Sequence, residues 1–178
     1  MRRIASAGLL ALLLGAAAAW ADEIEVREAA LRRVENGLAL DADFAFELTP
    51  RLADVVSNGV PLYFRVDFEL TRRRWYWFDH TAASSALQLR LSYHALSRQY
   101  RLASGPLQQS FPTLEEALNV LKRVRNWLVV EGHARLDADY EAAVRMRLDT
   151  ALLPKPFQLS ALTARDLHLE SAWKRFTP

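Results

Sequence analysis

Apolar and polar residues alternate one by one through most of this chain, and a period of two restricts it to strands with one buried face. From Leu38 the even positions read Leu38, Leu40, Ala42, Phe44, Phe46 and Leu48, against Asp41, Asp43, Glu47 and Thr49 on the odd ones. Successive side chains of an extended backbone point to opposite faces, so one set enters a core while the other meets solvent or a cover. The pattern returns as Leu62, Phe64, Val66, Phe68, Leu70 against Tyr63, Arg65, Asp67, Glu69, Thr71. It returns again as Leu87, Leu89, Leu91, Tyr93 against Gln88, Arg90, Ser92, His94, and as Tyr140, Ala142, Val144, Met146, Leu148 against Glu141, Ala143, Arg145, Arg147, Asp149. A last alternation is Leu167, Leu169, Ser171 and Trp173. Weaker strands are expected over residues 75–79 and 99–102.

Punctuation between these runs sets the connections. Asn36-Gly37 is a hairpin signal, and the strand before it, residues 24–34, has room for a bulge near Ala29-Ala30. Thr49-Pro50 predicts the start of a short helix, with Pro in the first turn where its missing N–H costs nothing, and Asn58-Gly59 closes it. Thr113 with Glu116 forms a capping box. Leu114, Ala117, Leu118, Leu121, Val124 and Leu128 then recur at helical spacing, which predicts an amphipathic helix up to Gly132. Pro154 and Pro156 bracket a turn. The expected fold is mainly β: an antiparallel β-sandwich or partly closed barrel of seven to eight strands, with one amphipathic helix and one short helix. Alternation favours antiparallel sheets over a parallel sheet buried on both faces.

The N-terminus reads as an export signal. Arg2 and Arg3 precede an apolar run over residues 4–14, and small residues over 16–21 end in Ala19-Trp20-Ala21, which fits small-x-small cleavage before Asp22. Ala17-Ala18-Ala19 is a competing site, and an uncleaved anchor is the competing role. Residues 1–21 are thus expected to be a signal peptide and 22–178 a single exported β-rich domain in the periplasm, with no membrane span after cleavage. The chain has no cysteine, which excludes disulfides and a lipidated N-terminal cysteine, so the core must carry the stability. Its 23 basic and 21 acidic residues give a net +2. Arg2 and Arg3 leave with the leader while every Asp and Glu lies at 22 or beyond, so the mature balance is 21 against 21. A neutral chain has no cationic field to steer nucleic acid, and none is expected as a partner.

The densest chemistry is Arg72, Arg73, Arg74, Trp75, Tyr76, Trp77, Phe78, Asp79 and His80. Aromatics beside arginines can hold a partner through stacking, cation–π and charge contacts. The same pattern also describes a strand covered on both faces with a solvated arginine turn. His80, His94, His133 and His168 show no metal-ligand spacing, and the pairs Asp41/Asp43 and Asp137/Asp139 fit a solvent face. Ser84-Ser85 lacks the glycine-flanked elbow of a catalytic serine, and the six glycines form no phosphate-cradling loop. No catalytic residue, cofactor or metal is assigned.

Several phrases together resemble an exported bacterial family catalogued as domain of unknown function 4390. They are the leader, Trp75-Tyr76-Trp77-Phe78-Asp79, Tyr100-Arg101-Leu102, Leu114-Glu115-Glu116-Ala117-Leu118, and Leu153-Pro154-Lys155-Pro156 followed by Trp173. The resemblance implies a small exported protein of Gram-negative bacteria, brings no catalytic residues, and places a membrane sensor protein among the candidate partners. Three functions follow as expectations. The first is a non-catalytic interaction module that binds a membrane-protein ectodomain or envelope component through residues 72–80 and an exposed sheet edge. The second is a carrier of an apolar ligand between sheet and helix. The third, a hydrolase, requires Ser, His and Asp to converge in space.

Overall fold

The computed structural model describes residues 24–72, 80–132, 136, 139–161 and 165–178. Among these, two antiparallel sheets face one another, and neither they nor their edges close into a barrel. The smaller sheet has the order β1-β2-β7, with β1 at Glu25–Val34, β2 at Gly37–Ala45 and β7 at Arg123–Glu131. The larger has the order β6-β5-β4-β3-β8-β9. Its strands are β3 (Leu62–Arg72), β4 (His80–His94), β5 (Gln99–Ser104), β6 (Leu107–Phe111), β8 (Tyr140–Leu148) and β9 (Lys174–Phe176). Inward residues of the clearest alternations meet between the sheets: Leu40, Phe44, Phe64, Val66, Phe68, Leu91, Val144 and Met146 are all buried. Phe46 stacks on Phe64 at 5.5 Å between ring centroids, tying the end of the small sheet to the large one.

Helices plug the sandwich. Helix α1 (Pro50–Ser57) starts as expected, with the Thr49 hydroxyl accepting the Leu52 amide at 3.2 Å and donating to the Asp166 carbonyl at 2.7 Å. Helix α2 (Leu114–Leu121) is capped by Thr113, whose hydroxyl accepts the Glu116 amide, and buries Ala117, Leu118 and Leu121. It ends well short of the expected boundary. From Arg123 the chain is strand, and Val124 and Leu128 belong to β7 rather than to a helix face. Within that strand Asn126, held at φ 51°, is a left-handed residue beside a register shift in the pairing with β2, a bulge that resets the alternation. Buried Val124 and Val129 then stand five positions apart, a spacing that hides the strand from a period-two reading.

Other expectations are corrected in the same way. The irregularity in β1 falls between Val26 and Glu28, not at Ala29-Ala30, and the β1–β2 turn is Glu35-Asn36, with Gly37 already paired to Val34. Gly37 is needed for close approach: a Cβ there would lie 1.9 Å from the Val130 carbonyl oxygen, at a φ of 148°. The alternation Leu167, Leu169, Ser171 does bury those residues, but the segment meets β8 through one bridge, Glu170 with Arg147, and the final strand is Lys174–Phe176. Strand β6 and helix α3 (Lys155–Ala161) were not expected; the latter stands where a turn was read around Pro154 and Pro156. The weak strand expected over 75–79 lies outside the described residues.

Candidate functional site

The outward face of the large sheet gathers the polar halves of two alternations that are far apart in the chain. Pairing of β3 with β8 sets Arg65 beside Arg147 and Asp67 beside Arg145. The Asp67 side chain, 13% exposed, lies beneath three guanidiniums. Arg65 Nε donates to Oδ1 at 2.6 Å, while Arg145 Nε and Arg147 Nε donate to Oδ2 at 3.1 and 3.2 Å. Burial pushes the Asp67 carboxyl upward, but hydrogen bonds from Arg65 and Arg147, reinforced by their charges, hold it below the ordinary carboxylate range. The same hydrogen bond, with the Asp67 charge, raises the Arg65 guanidinium.

Trp173 completes the group. Its ring lies 4.6 Å from the Arg145 guanidinium carbon, a stacking that restricts how that side chain turns. Around them opens a cleft of about 420 Å³, bordered also by Glu69 and Ser84. Arg90, opposite Tyr63, and Arg101, opposite Ser92, lie farther across the same face. Each arginine has five N–H donors in a planar fork, more than one carboxylate can take from three of them. The arrangement can therefore receive a further carboxylate, phosphate or sulfate on a rigid strand platform.

In the sequence Arg65, Asp67, Arg145 and Arg147 stand only as polar strand positions, with no local signal that marks them as a site. Of the arginine–aromatic segment over residues 72–80, Arg72 ends β3, with its guanidinium carbon 5.6 Å from the Tyr140 ring centroid, and its backbone pairs with His80 at the start of β4. Arg73, Arg74, Trp75, Tyr76, Trp77, Phe78 and Asp79 lie outside the described residues. Arg72 is five residues along the strand from Asp67, roughly 16 Å in extended chain, so the two groups are separate contacts on one strand.

Serine and histidine meet once among the described residues. His94 Nδ1 lies 3.0 Å from Ser97 Oγ and also faces the Ser97 amide at 3.3 Å, in the exposed β4–β5 turn. This is a turn cap, with no carboxylate to orient the imidazole as a triad needs. His168 Nε2 contacts the Ala161 carbonyl, and Ser85 Oγ donates to the Val129 carbonyl at 2.7 Å. Asp41 accepts Arg32 Nε at 2.6 Å and the Asn126 amide at 2.7 Å, and Asp43 accepts Arg125; both carboxylates serve the β1–β2–β7 framework. Asp137 and His133 lie outside the described residues. Among those described, no three His, Asp or Glu side chains come together as metal ligands. Leu118 and Leu121 of α2 are buried, and Val120 and Leu121 border a cleft of about 250 Å³ with Leu87, Leu89 and Leu102 of the large sheet, between sheet and helix.

The family model described as Domain of unknown function (DUF4390) matches residues 21–177. The chain belongs to that family. As a DUF4390 member it shares a description that assigns no chemistry, so the site rests on the geometry above. No curated protein matches the chain, and no solved structure matches it. Among the described residues of this family member, no helix is long and apolar enough to cross a membrane.

Proposed function

We propose that this DUF4390 chain is exported, loses residues 1–21, and acts in the periplasm as a non-catalytic interaction module for an acidic surface of an envelope partner, such as a membrane-protein ectodomain. One observation carries the binding half: three arginines converge on the single carboxylate of Asp67 on an open sheet face. A purely structural role for Asp67 would be met by one arginine. Three present more N–H donors than one carboxylate can accept, while Glu69 at the border and Asp149, whose charge acts on the Arg65 guanidinium, balance much of their charge. Neighbouring strands fix the guanidiniums, so little conformational entropy is lost when they engage a partner. Residues 72–80, rich in arginine and indole, would offer a second contact at the end of β3, where Arg72 pairs with Tyr140 on the sheet face opposite Asp67. The basic start, apolar run and small-residue end of the leader support export.

Two experiments test the halves separately. The product recovered from the periplasm should begin at Asp22, or at Trp20 by the alternative cut; an intact Met1 on a membrane-bound product would overturn export. In a periplasmic cross-linking pull-down, Arg145→Gln with Arg147→Gln should sharply reduce recovery of the acidic partner while circular dichroism stays β-rich. An unchanged captured set, with the fold retained, would remove the arginine face from the proposal.

A further inference from the structure

Four strands end the two sheets, and three of them carry features that discourage another strand from pairing there. Strand β1 is charged along its length and broken by an irregularity after Val26. Strand β7 carries Arg123, Arg125 and Glu131 and bulges at Asn126. Strand β9 is three residues long and opens on Lys174-Arg175. Strand β6 has none of this. Leu107-Gln108-Gln109-Ser110-Phe111 holds no charge, pairs with β5 without a register shift, and exposes four of its five residues.

The hairpin geometry says which of its peptide groups are open. Ser104 pairs with Leu107 across the two-residue turn Gly105-Pro106, with Gly105 at φ 55°. A two-residue turn makes that closing pair the hydrogen-bonded one. By alternation Leu107, Gln109 and Phe111 turn their amides and carbonyls to β5, and Gln108 and Ser110 turn theirs outward. On the inward side, Leu107 and Gln109 border a cleft of about 250 Å³ shared with Leu89, Leu102, Val120 and Val124. Leu107 is 73% exposed and Val120 39%, so apolar surface lies open beside the unpaired edge. Arg123 and Arg125 stand at the rim. Asp43 engages Arg125, whereas Arg123 is exposed and has no ion pair among the described residues.

We propose that β6 is a strand-addition site: an extended segment of a partner protein pairs with the outward peptide groups of Gln108 and Ser110, lays an apolar side chain in the cleft, and sets an acidic residue against Arg123. Outward amides select an extended backbone, the cleft selects alternate apolar side chains, and the rim charge selects Asp or Glu nearby. The site lies at the opposite edge of the sheet from β8 and β9 and stands independently of the arginine face.

The test uses the purified protein and a random peptide display library as the probe. Enriched peptides should alternate apolar residues and carry a flanking Asp or Glu. Ser110→Pro removes an outward N–H while sparing the β5 ladder, and should weaken binding of a synthesised winner about tenfold or more, measured by fluorescence anisotropy. Leu107→Glu, at an exposed position, should do the same by placing an acid where the apolar side chain must enter, and serves if the proline variant fails to fold. Failure of any peptide to enrich, or binding insensitive to the folded variants, would overturn the proposal. So would a dimer in sedimentation that Ser110→Pro dissolves, because a second copy of this chain would then hold the edge. Binding lost on substitution of Arg145 and Arg147 but not of β6 would likewise reject strand addition.

Discussion

Asp67→Asn isolates the ion cluster from the packing around it, since the two side chains are nearly equal in size. Asp67 accepts three charge-assisted hydrogen bonds, one on Oδ1 and two on Oδ2, from side chains that have no acceptor of their own. Asn keeps one acceptor oxygen and turns an NH₂ group toward a guanidinium on the other side, setting donor against donor. Hydrogen bonds to charged groups contribute about 1.5–3 kcal/mol each when buried. Here the arginines are 42, 30 and 30% exposed and can turn partly to water, so the three do not add. The expected loss is about 2 kcal/mol at neutral pH, below the 3–5 kcal/mol of breaking a fully buried pair. The pH dependence has a definite sign. The Asp67 carboxyl is depressed in the folded state, so its stabilisation is complete above the unfolded value near 4 and disappears as pH falls through the lower folded value. Urea denaturation followed by tryptophan fluorescence should therefore show the gap between wild type and variant at neutral pH, shrinking below about pH 4. A neutral-pH gap under about 0.5 kcal/mol, or one that acid leaves intact, would refute the assignment of Asp67 as the charge that organises this face.

Core, turn and bulge are open to the same denaturation assay. Phe44, Phe64 and Leu89 are 4, 0 and 7% exposed, and each change to Ala should cost about 3 kcal/mol or more; a loss below about 0.5 kcal/mol at all three would contradict the packing between the sheets. Gly37→Ala should cost at least about 2 kcal/mol, because its Cβ meets the Val130 carbonyl rather than a movable side chain; an unchanged midpoint would contradict that approach. Asn126→Gly should be nearly neutral and Asn126→Val should lose about 1–3 kcal/mol, since a β-branched residue resists the left-handed conformation; equal effects would dismiss the bulge. Arg72, Arg73 and Arg74 changed together to Ser should leave stability within about 1 kcal/mol while reducing partner capture if residues 72–80 form a contact surface.

What could be read from the residues alone is what neighbours in the chain decide. Alternation is local geometry, so β2, β3, the second half of β4 and β8 were legible with their buried faces, Phe44 and Phe64 included. Thr49-Pro50 marked α1 because a cap acts within one turn. Strand β6 was not legible, because its Gln-Gln-Ser interior has no apolar alternation, the edge it forms facing solvent. The helix over-reached past Leu121 because Val124 and Leu128 fall four apart; pairing of that segment with β2, through a bulge at Asn126 whose amide meets Asp41, overrode that spacing. The arginine cluster was beyond reach for a related reason. Arg65 and Asp67 on β3 meet Arg145 and Arg147 on β8 only through the register of two strands about eighty positions apart. The four charged residues of the site were visible as polar, while Trp173 was grouped with an apolar alternation; a strand does not encode its partner, and that choice, which belongs to the summed burial of two sheets, places three guanidiniums on one carboxylate.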